Sequence, residues 1–363
     1  MSQVSLLIKP ASSLCNLRCK YCFYEDVSQN REIESMGIMK EEVMKSLIDN
    51  TMTLPVDTIH YCFQGGEPTV AGIEYFYHFI QYVNEKNVSH KQIQYSIQTN
   101  GTLLNDRWIK LFKENRFLVG VSIDGYSKNH DYFRKDGKGN GTYKKILYNL
   151  RSLKNAGVSY NILTVLTKDL SRKPERLFEF YKENNFEYVQ LIPCLPSLKH
   201  DQATDIFALQ PKDFTTFYKR FFDLWYEEVR KGNYISVTLF DNVIPMYKGV
   251  LPSQCGMLGK CAMQIVVESN GNVYPCDFYV LDEYCCGNVC TDSLKDMVHN
   301  AIVKRFLEEP RKMCKQCDTC EFVHMCHGNC KRLGECYYDE EYCCYKEFLE
   351  YSKERMYLLS RMM

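Results

Sequence analysis

Three cysteines near the N-terminus have the type and spacing of ligands for a metal cluster. Cys15, Cys19 and Cys22 are arranged as C-x3-C-x2-C. Three thiolates from one short loop can bind three irons of a [4Fe-4S] cube and leave the fourth iron open for a small molecule. A zinc site or three unrelated thiols are the alternatives, but structural zinc usually takes four ligands built from C-x2-C pairs. The spacing therefore favours a cluster with one open iron.

The cysteine content of the whole chain also points to metal. The 363 residues include 19 cysteines, and 14 of these fall between Cys255 and Cys344. The N-terminus lacks the pattern of a signal peptide, and no run approaches the ~20 apolar residues of a membrane span. We therefore expect a cytoplasmic protein, in which reducing conditions disfavour disulfides. Forty-five basic and 45 acidic residues give a formal net charge of zero, which favours neither nucleic acid nor a membrane as a partner.

Short β-rich runs alternate with amphipathic helical patterns over residues 4–232. The predicted strands are Val4–Pro10, Thr58–Phe63, Gln92–Ile97, Leu118–Ile123, Ser159–Leu166 and Tyr188–Pro193. The predicted helices are Lys40–Thr51, Glu74–Asn84, Asp106–Glu114, Tyr143–Ala156, Lys173–Glu183 and Pro211–Lys231. Such repeats predict a parallel sheet, and six are too few for a closed eight-stranded barrel. We expect an α/β fold with a partial (β/α)6 barrel over residues 1–235, a cysteine-rich domain over 236–345 and a C-terminal helix over 346–363.

Unusual polar motifs directly follow the predicted strands, at the edge where parallel barrels carry their reactive groups. The cysteine loop follows the first strand, and the other motifs are Gln64-Gly65-Gly66-Glu67-Pro68, Gln98-Thr99-Asn100-Gly101, Ser122 with Asp124-Gly125, and Pro193-Cys194-Leu195. The paired glycines allow close backbone approach, and the Glu67 carboxylate could receive an ammonium group. Each motif alone would usually be a turn. Together they predict a site at one edge.

The last third of the chain has two informative cysteine patterns. Cys261, Gly271 and Cys276 give C-x9-G-x4-C, and the block from Cys317 to Cys330 reads C-x2-C-x5-C-x3-C. Residues 266–274 predict a hairpin with an Asn-Gly turn, which would bring Cys276 back towards Cys261. A zinc-ribbon-like knuckle is the alternative, but it does not easily accommodate this many thiolates.

These motifs resemble the radical S-adenosylmethionine superfamily, which combines a C-x3-C-x2-C loop with a G-G-E-P-type motif. The C-terminal spacings resemble its SPASM extension, which carries two auxiliary [4Fe-4S] clusters. The stretches 6–13, 22–24, 63–69 and above all 274–280 are most similar to the anaerobic sulfatase-maturating enzymes. Departures from that pattern are Cys326-His327-Gly328-Asn329-Cys330 and the position of the final cysteine.

The resemblance implies three [4Fe-4S] clusters, the first held by Cys15, Cys19 and Cys22, and a bound S-adenosylmethionine. The implied cofactor contacts are Tyr21 with the adenine, Gly66 and Glu67 with the ammonium, Ser122 and Arg134 with the carboxylate, and Leu195 with the adenine. Arg134 could instead be a solvated loop charge. The implied auxiliary ligands are Cys255, Cys261, Cys276 and Cys330 for one cluster, and Cys317, Cys320, Cys326 and Cys343 for the other, with Cys344 as the alternative to Cys343.

The family oxidises a cysteine or serine of a sulfatase precursor to Cα-formylglycine, so the resemblance implies a peptide substrate and an electron donor such as flavodoxin or ferredoxin. Asp277 directly follows Cys276 and is the candidate catalytic base. Tyr24, Gln64 and Gln98 are candidates for binding the peptide. The alternative function is a radical SPASM maturase that forms thioether or carbon-carbon crosslinks in ribosomal peptides. We expect no leader-recognition domain ahead of the first strand at Val4, which disfavours this alternative.

Overall fold

The chain folds into two units, which the computed structural model describes over residues 2–198, 205–311 and 313–362. The first unit comprises Met1–Ser122, Asp131–Tyr160 and Met263–Glu309. The second unit comprises Ile123–His130, Asn161–Ala262 and Pro310–Met363. Within the described residues, no helix combines the length and apolar character that crossing a membrane requires.

A largely parallel sheet organises the first unit. Its hydrogen-bonded strands follow in the order Gly287–Asn288, Asn272–Tyr274, Val266–Val267, Gln3–Ile8, Thr58–Phe63, Gln92–Thr99 and Leu118–Ser122. The strands from Val266–Val267 to Leu118–Ser122 are parallel, and the two at the other edge are antiparallel. Two short strands, Leu17–Cys19 and Arg134–Asp136, form a separate antiparallel ribbon.

The helices of the first unit mostly follow its parallel strands. The α-helices are Phe23–Gln29, Glu41–Met52, Ile73–Lys86, Asp106–Glu114, Tyr143–Asn155, Leu294–Met297 and Ala301–Glu308. Single 3-10 turns occur at Pro68–Ala71, Asp277–Tyr279 and Asp282–Tyr284. The helix Ser127–Phe133 crosses from the second unit into the first. The Asn105 side chain caps the helix after it by accepting hydrogen bonds from Arg107 N and Trp108 N.

The two faces of this sheet differ because successive side chains alternate between them. One face is buried under the helices and is strongly aromatic. Phe63 packs against Phe76 and Phe79, with ring centroids 4.9 and 5.0 Å apart, and Phe76 packs on Trp108. The opposite face is more exposed and carries polar groups such as His60, whose Nε2 lies 2.9 Å from Ser96 Oγ. The first unit therefore keeps one face of its sheet suited to polar chemistry.

The second unit combines three parallel strands with a helical layer. The strands are Ser159–Leu166, whose first two residues belong to the first unit, Tyr188–Pro193 and Ser236–Val237. The α-helices are Lys168–Ser171, Pro174–Glu183, Pro211–Arg230, Thr238–Met246, Val323–Cys326, Gly334–Tyr337 and Cys344–Met362, with 3-10 turns at Cys255–Leu258 and Lys315–Thr319. The C-terminal helix packs on Pro211–Arg230 through aromatic pairs such as Phe214 with Tyr345, whose ring centroids are 5.3 Å apart.

The prediction of an α/β fold with a parallel sheet is confirmed, and no closed barrel occurs in the part of the chain that the structure describes. The hairpin with a turn at Gly271 is also confirmed, since Val266 pairs with Tyr274 and Gly271 has a φ of +91°. This hairpin adds to the edge of the parallel sheet in the first unit. The predicted domain limits stay a prediction. The C-terminal helix begins at Cys344, and Met363 lies outside the described residues.

A buried ion pair ties the hairpin to the segment after the cysteine loop. Arg31 Nη1 donates to Glu268 Oε1 at 2.8 Å, and the two side chains are 2% and 1% exposed. Arg31 Nη2 also donates to the Glu34 carbonyl at 2.7 Å. Removing one partner of a buried pair leaves an uncompensated charge, whereas removing both does not.

We expect Arg31→Met to destabilise the protein by about 3–5 kcal/mol, because the Glu268 carboxylate would stay buried without its partner. The double variant Arg31→Met/Glu268→Met should recover most of this loss. Anaerobic thermal denaturation of the reconstituted proteins measures both. Lys45→Met, which removes the exposed partner of Glu41, is the control and should change the Tm little. Equal losses in the single and double variants would contradict this role of the pair.

Candidate active site

The loop that carries the three N-terminal cysteines is shaped by backbone contacts with residues 65–67. The Ser12 carbonyl accepts a hydrogen bond from Gly66 N at 2.9 Å, and the Leu14 carbonyl accepts one from Glu67 N at 2.8 Å. A Cβ atom on Gly66 would lie only 2.3 Å from the Leu14 carbonyl oxygen. The predicted close backbone approach at these glycines is confirmed, and the approaching backbone is that of the cysteine loop.

Each of the three cysteines is held by a different local element. Cys15 Sγ accepts hydrogen bonds from Leu17 N at 3.4 Å and Asn100 Nδ2 at 3.8 Å. Cys19 ends the strand Leu17–Cys19 and pairs with Arg134 in the antiparallel ribbon. Cys22 directly precedes the helix Phe23–Gln29, and its N–H donates to the Cys19 carbonyl at 3.3 Å.

The Glu67 carboxylate is buried beneath this loop and accepts hydrogen bonds from neighbouring segments of the chain. Its Oε1 accepts hydrogen bonds from Thr69 N at 3.0 Å, Thr69 Oγ1 at 2.6 Å and Thr99 Oγ1 at 2.7 Å. Its Oε2 accepts one from Asn100 N at 2.7 Å. Burial raises the pKa of Glu67, while these hydrogen bonds favour the ionised carboxylate. The hydrogen bond from Asn100 N to Glu67 places Asn100 beside Cys15. The contact of Glu67 with an ammonium group stays a prediction.

The donor set of the loop fits an iron-sulfur cluster. All 19 cysteines are free thiols. Burial raises the pKa of Cys15 to about 11 and also raises that of Cys22, so thiolates at these positions need a cation such as cluster iron. Among the described residues, no three His, Cys, Asp or Glu side chains are placed to hold a single metal ion. Ligands of a cube bind different irons, so three thiols of one loop can each bind one iron of a [4Fe-4S] cluster.

The side chains predicted to bind the cofactor differ in how deeply they are buried. Arg134 is 7% exposed and its guanidinium lies 5.5 Å from the Tyr21 ring centroid, so the interpretation of Arg134 as a solvated loop charge is wrong. Ser122 is half-buried at the end of the strand Leu118–Ser122. Leu195 is half-buried in the second unit, just after the strand Tyr188–Pro193. Their contacts with a cofactor stay predictions.

Asp277 lies at the centre of a small polar group in the first unit. Its Oδ2 accepts a hydrogen bond from Tyr24 OH at 2.8 Å, and its Oδ1 lies 3.0 Å from Lys9 Nζ. The Lys9 and Asp277 side chains are 4% and 13% exposed. Asp277 Oδ1 is buried and faces the Lys9 ammonium. The ion pair with Lys9 and the hydrogen bond from Tyr24 therefore fix the orientation of the carboxylate.

The hairpin explains why Asp277 meets residues near the N-terminus. Lys9 N donates to the Val267 carbonyl at 2.9 Å, so the first strand continues its pairing with the hairpin to this point. The second hairpin strand, Asn272–Tyr274, then leads through Cys276 to Asp277. Sequence reasoning missed Lys9. Its signal was its position at the end of the first predicted strand, where the other reactive residues gather.

Tyr24 connects Asp277 to Gln64. The Tyr24 hydroxyl donates to Asp277 Oδ2 at 2.8 Å and lies 3.3 Å from Gln64 Oε1. Burial and the Asp277 charge raise the pKa of Tyr24 well above its usual value, so the hydroxyl stays protonated. Gln98 is exposed, and its side chain forms no hydrogen bond within the described part of the chain. The structure therefore brings Tyr24, Gln64 and Asp277 together, but not Gln98.

Three predicted ligands of the first auxiliary cluster lie near one another in the second unit. Burial raises the pKa of the Cys255 thiol, and the charges of Cys330 and Cys261 add to this effect. A Cβ atom on Gly256 would lie 3.1 Å from Cys330 Cβ, so this glycine allows the two cysteine segments to approach closely. The fourth predicted ligand, Cys276, belongs to the first unit.

The predicted ligands of the second auxiliary cluster also form a group in the second unit. Burial raises the pKa of Cys326 to about 11, and the charges of Cys317 and Cys320 contribute. Burial raises the pKa of Cys343 to about 12, with contributions from Cys326 and Cys317. Cys344 is fully buried at the start of the C-terminal helix, and its burial and the charges of Cys343, Cys336 and Cys326 raise its pKa. The choice of Cys343 over Cys344 as the ligand stays a prediction.

Two family models match the chain. One is described as the radical SAM superfamily and matches residues 10–181. The other is SPASM, described as an iron-sulfur cluster-binding domain, and matches residues 259–321.

The chain is also similar to individual proteins over most of its length. A Clostridium novyi protein named cysteine-type anaerobic sulfatase-maturating enzyme is 40% identical over 335 residues, which cover 92% of this chain and 90% of that protein. A serine-type anaerobic sulfatase-maturating enzyme from Bacteroides thetaiotaomicron is 30% identical, covering 90% and 82%. A solved structure described as native anSMEcpe with bound AdoMet and Kp18Cys peptide has a TM-score of 0.93 at 37% identity, covering 99% of this chain and 100% of that chain.

We expect Gly66→Ala to displace the backbone of Ser13 and Leu14, because the added Cβ would overlap the Leu14 carbonyl oxygen. The reconstituted variant should contain about four fewer iron atoms per chain, the content of one cube. Iron analysis measures this loss, and circular dichroism checks that the fold persists. Gly137→Ala is the control, since its Cβ would meet nothing within 4 Å. Full iron content in Gly66→Ala would show that the loop tolerates the shift.

Proposed function

Because the chain belongs to the family of anaerobic sulfatase-maturating enzymes, we propose that it oxidises a cysteine of a sulfatase precursor to Cα-formylglycine. It is a radical S-adenosylmethionine oxidoreductase with a SPASM domain. The higher identity to the cysteine-type than to the serine-type relative, 40% against 30%, favours cysteine as the target. The reaction uses S-adenosylmethionine, three [4Fe-4S] clusters and a peptide substrate, and we propose flavodoxin or ferredoxin as the electron donor.

The observation that carries this proposal is the surroundings of Asp277. When bound, the clusters and S-adenosylmethionine supply a radical that removes one hydrogen atom from the target Cβ and an acceptor for one electron. Removal of a proton from the target thiol then gives a thioaldehyde, and water hydrolyses this thioaldehyde to the aldehyde with release of hydrogen sulfide. Asp277 is suited to removing this proton because it is a carboxylate next to the predicted cluster ligand Cys276, and Lys9 and Tyr24 hold it in a fixed orientation.

Neighbouring residues prepare the Asp277 carboxylate for proton transfer. Lys9 balances its charge from 3.0 Å, and the Tyr24 hydroxyl fixes Oδ2 at 2.8 Å. Together these contacts orient the carboxylate, with one partner at each oxygen. Gln64 is then placed to bind a peptide carbonyl through its NH2 group, since its Oε1 faces Tyr24.

The assignment of ligands follows from the same proposal. Cys15, Cys19 and Cys22 would hold the cluster that binds S-adenosylmethionine, with Tyr21, Gly66, Glu67, Ser122, Arg134 and Leu195 contacting that cofactor. The auxiliary ligands would be Cys255, Cys261, Cys276 and Cys330 for one cluster and Cys317, Cys320, Cys326 and Cys343 for the other. The domains would be a barrel over 1–235 and a SPASM domain over 236–345.

We expect Asp277→Asn to lower the yield of formylglycine by at least about 100-fold, because an amide cannot accept the proton. Cleavage of S-adenosylmethionine should continue, since the substitution keeps the shape of the site. Mass spectrometry of a C-x-P-x-R peptide after anaerobic incubation measures the aldehyde, and chromatography measures 5′-deoxyadenosine.

Asp282→Asn is the matched control for Asp277→Asn. Asp282 begins the next 3-10 turn, and its carboxylate accepts a hydrogen bond from Glu32 N at 2.8 Å. This variant should keep the formylglycine yield. An unchanged yield in Asp277→Asn would place the base elsewhere, and a product that retains sulfur in a crosslink would favour the peptide-maturase alternative.

We expect Cys343→Ala, but not Cys344→Ala, to remove about four iron atoms per chain, because only Cys343 would bind the second auxiliary cluster. Iron and acid-labile sulfide analysis of both reconstituted variants measures the difference. The reverse pattern of iron loss would make Cys344 the ligand.

A further inference from the structure

The antiparallel ribbon beside the cysteine loop carries an unusual pair of cations. Its register places Arg18 directly opposite Lys135 and Cys19 directly opposite Arg134. Arg18 is exposed and Lys135 is half-buried. Like charges directly opposite each other destabilise an antiparallel pair. Arg18 Nη1 donates to the Cys15 and Leu17 carbonyls at 2.8 Å, and these hydrogen bonds hold its charge at the surface of the ribbon.

Two further lysines enlarge the positive surface. Lys20 and Lys138 are both exposed. In the described part of the chain, none of Arg18, Lys20, Lys135 and Lys138 lies within 4.0 Å of a carboxylate as an ion pair. Asp136 is the acidic residue of the two strands, and its carboxylate accepts hydrogen bonds from Lys138 N at 2.9 Å and Asn140 N at 2.8 Å. The surface therefore keeps an excess of positive charge.

An exposed aromatic residue adjoins these cations. Tyr132 is 48% exposed, and Lys20 Nζ lies 3.6 Å from its ring centroid. The Tyr132 ring contacts Phe133 at 4.9 Å between centroids, and Phe133 contacts Tyr21 at 5.3 Å. Protein interfaces typically combine an aromatic anchor with surrounding charges.

We propose that this basic ribbon surface, comprising Arg18, Lys20, Tyr132, Lys135 and Lys138, is the docking site for an acidic one-electron carrier protein of the flavodoxin type. The proposal rests on the proposed function, which requires an electron from outside the enzyme. In the transfer, the carrier loses one electron and the cluster held by Cys15, Cys19 and Cys22 gains it, and no proton or heavy atom moves.

Two observations select this occupant. The excess of lysine and arginine complements an acidic protein, and such complementarity steers association and makes its rate depend on salt. In addition, a predicted cluster ligand, Cys19, is part of the ribbon itself. A carrier bound to the exposed side chains of the ribbon would therefore approach the cluster that it must reduce.

The test compares reduction of the enzyme by two donors. Stopped-flow absorbance follows the reduction of the reconstituted enzyme by a reduced acidic flavodoxin and, separately, by photoreduced deazaflavin, a small molecule that needs no docking surface. We expect Lys135→Glu/Lys138→Glu to slow reduction by flavodoxin by about tenfold at low salt and to weaken its salt dependence. The rate with deazaflavin and the formylglycine yield obtained with it should match the unmodified enzyme.

The control is Lys40→Glu/Lys110→Glu, which makes the same change in charge at two exposed positions outside the ribbon. Its rate with flavodoxin should stay within about twofold of the unmodified enzyme, because it leaves the ribbon surface intact. An unchanged flavodoxin rate in Lys135→Glu/Lys138→Glu would overturn the docking site, as would an equal loss in the control. Salt-sensitive RNA binding at the ribbon without any effect on reduction would also overturn it. Failure of the proposed function is distinct, since the unmodified enzyme would then form no formylglycine with deazaflavin.

Discussion

The close contact between the backbone at Gly65 and Gly66 and the loop ahead of Cys15 is the constraint on which the candidate site depends. A side chain at Gly66 would occupy the position of the Leu14 carbonyl, so the loop can take this course only over a glycine. The buried carboxylate of Glu67 then secures the same region, because its four hydrogen bonds tie it to Thr69, Thr99 and Asn100. A buried carboxylate with fewer partners would be costly. Its full satisfaction makes this part of the loop rigid.

A second constraint brings the candidate base to the loop. The hairpin strand Val266–Val267 extends the parallel sheet at the edge of the strand Gln3–Ile8, and this pairing sets the position of everything that follows it. Asp277 thereby reaches Lys9 and Tyr24, although Tyr24 and Asp277 are 253 residues apart in the chain. The buried pair of Arg31 and Glu268 secures the same hairpin from its other end. Sheet pairing and a buried ion pair therefore act together to position one carboxylate.

Charged side chains are arranged differently in the interior of the first unit and on its surface. Near Asp277 the buried charges are paired, since Lys9 faces the carboxylate and Arg31 faces Glu268. This is expected, because an unpaired charge in a low dielectric is unfavourable. On the ribbon, Arg18 and Lys135 face each other and are open to solvent, where water and salt reduce their repulsion. The positive charges on such a surface can remain without ion-pair partners until a protein of opposite charge binds.

The sequence by itself determined the features that depend on short-range patterns. These are the alternating strands and helices, the Asn-Gly hairpin, the three N-terminal thiols and the position of Asp277 next to Cys276, since periodicity and ligand spacing are local properties. Only the tertiary structure decided that Lys9 faces Asp277 and that both carboxylate oxygens of Glu67 accept hydrogen bonds. It also decided that Arg134 is buried, at 7% exposure, instead of solvated. The physical reason is that burial, ion pairing and hydrogen-bond satisfaction depend on residues far apart in the chain, which meet only when the strands pair.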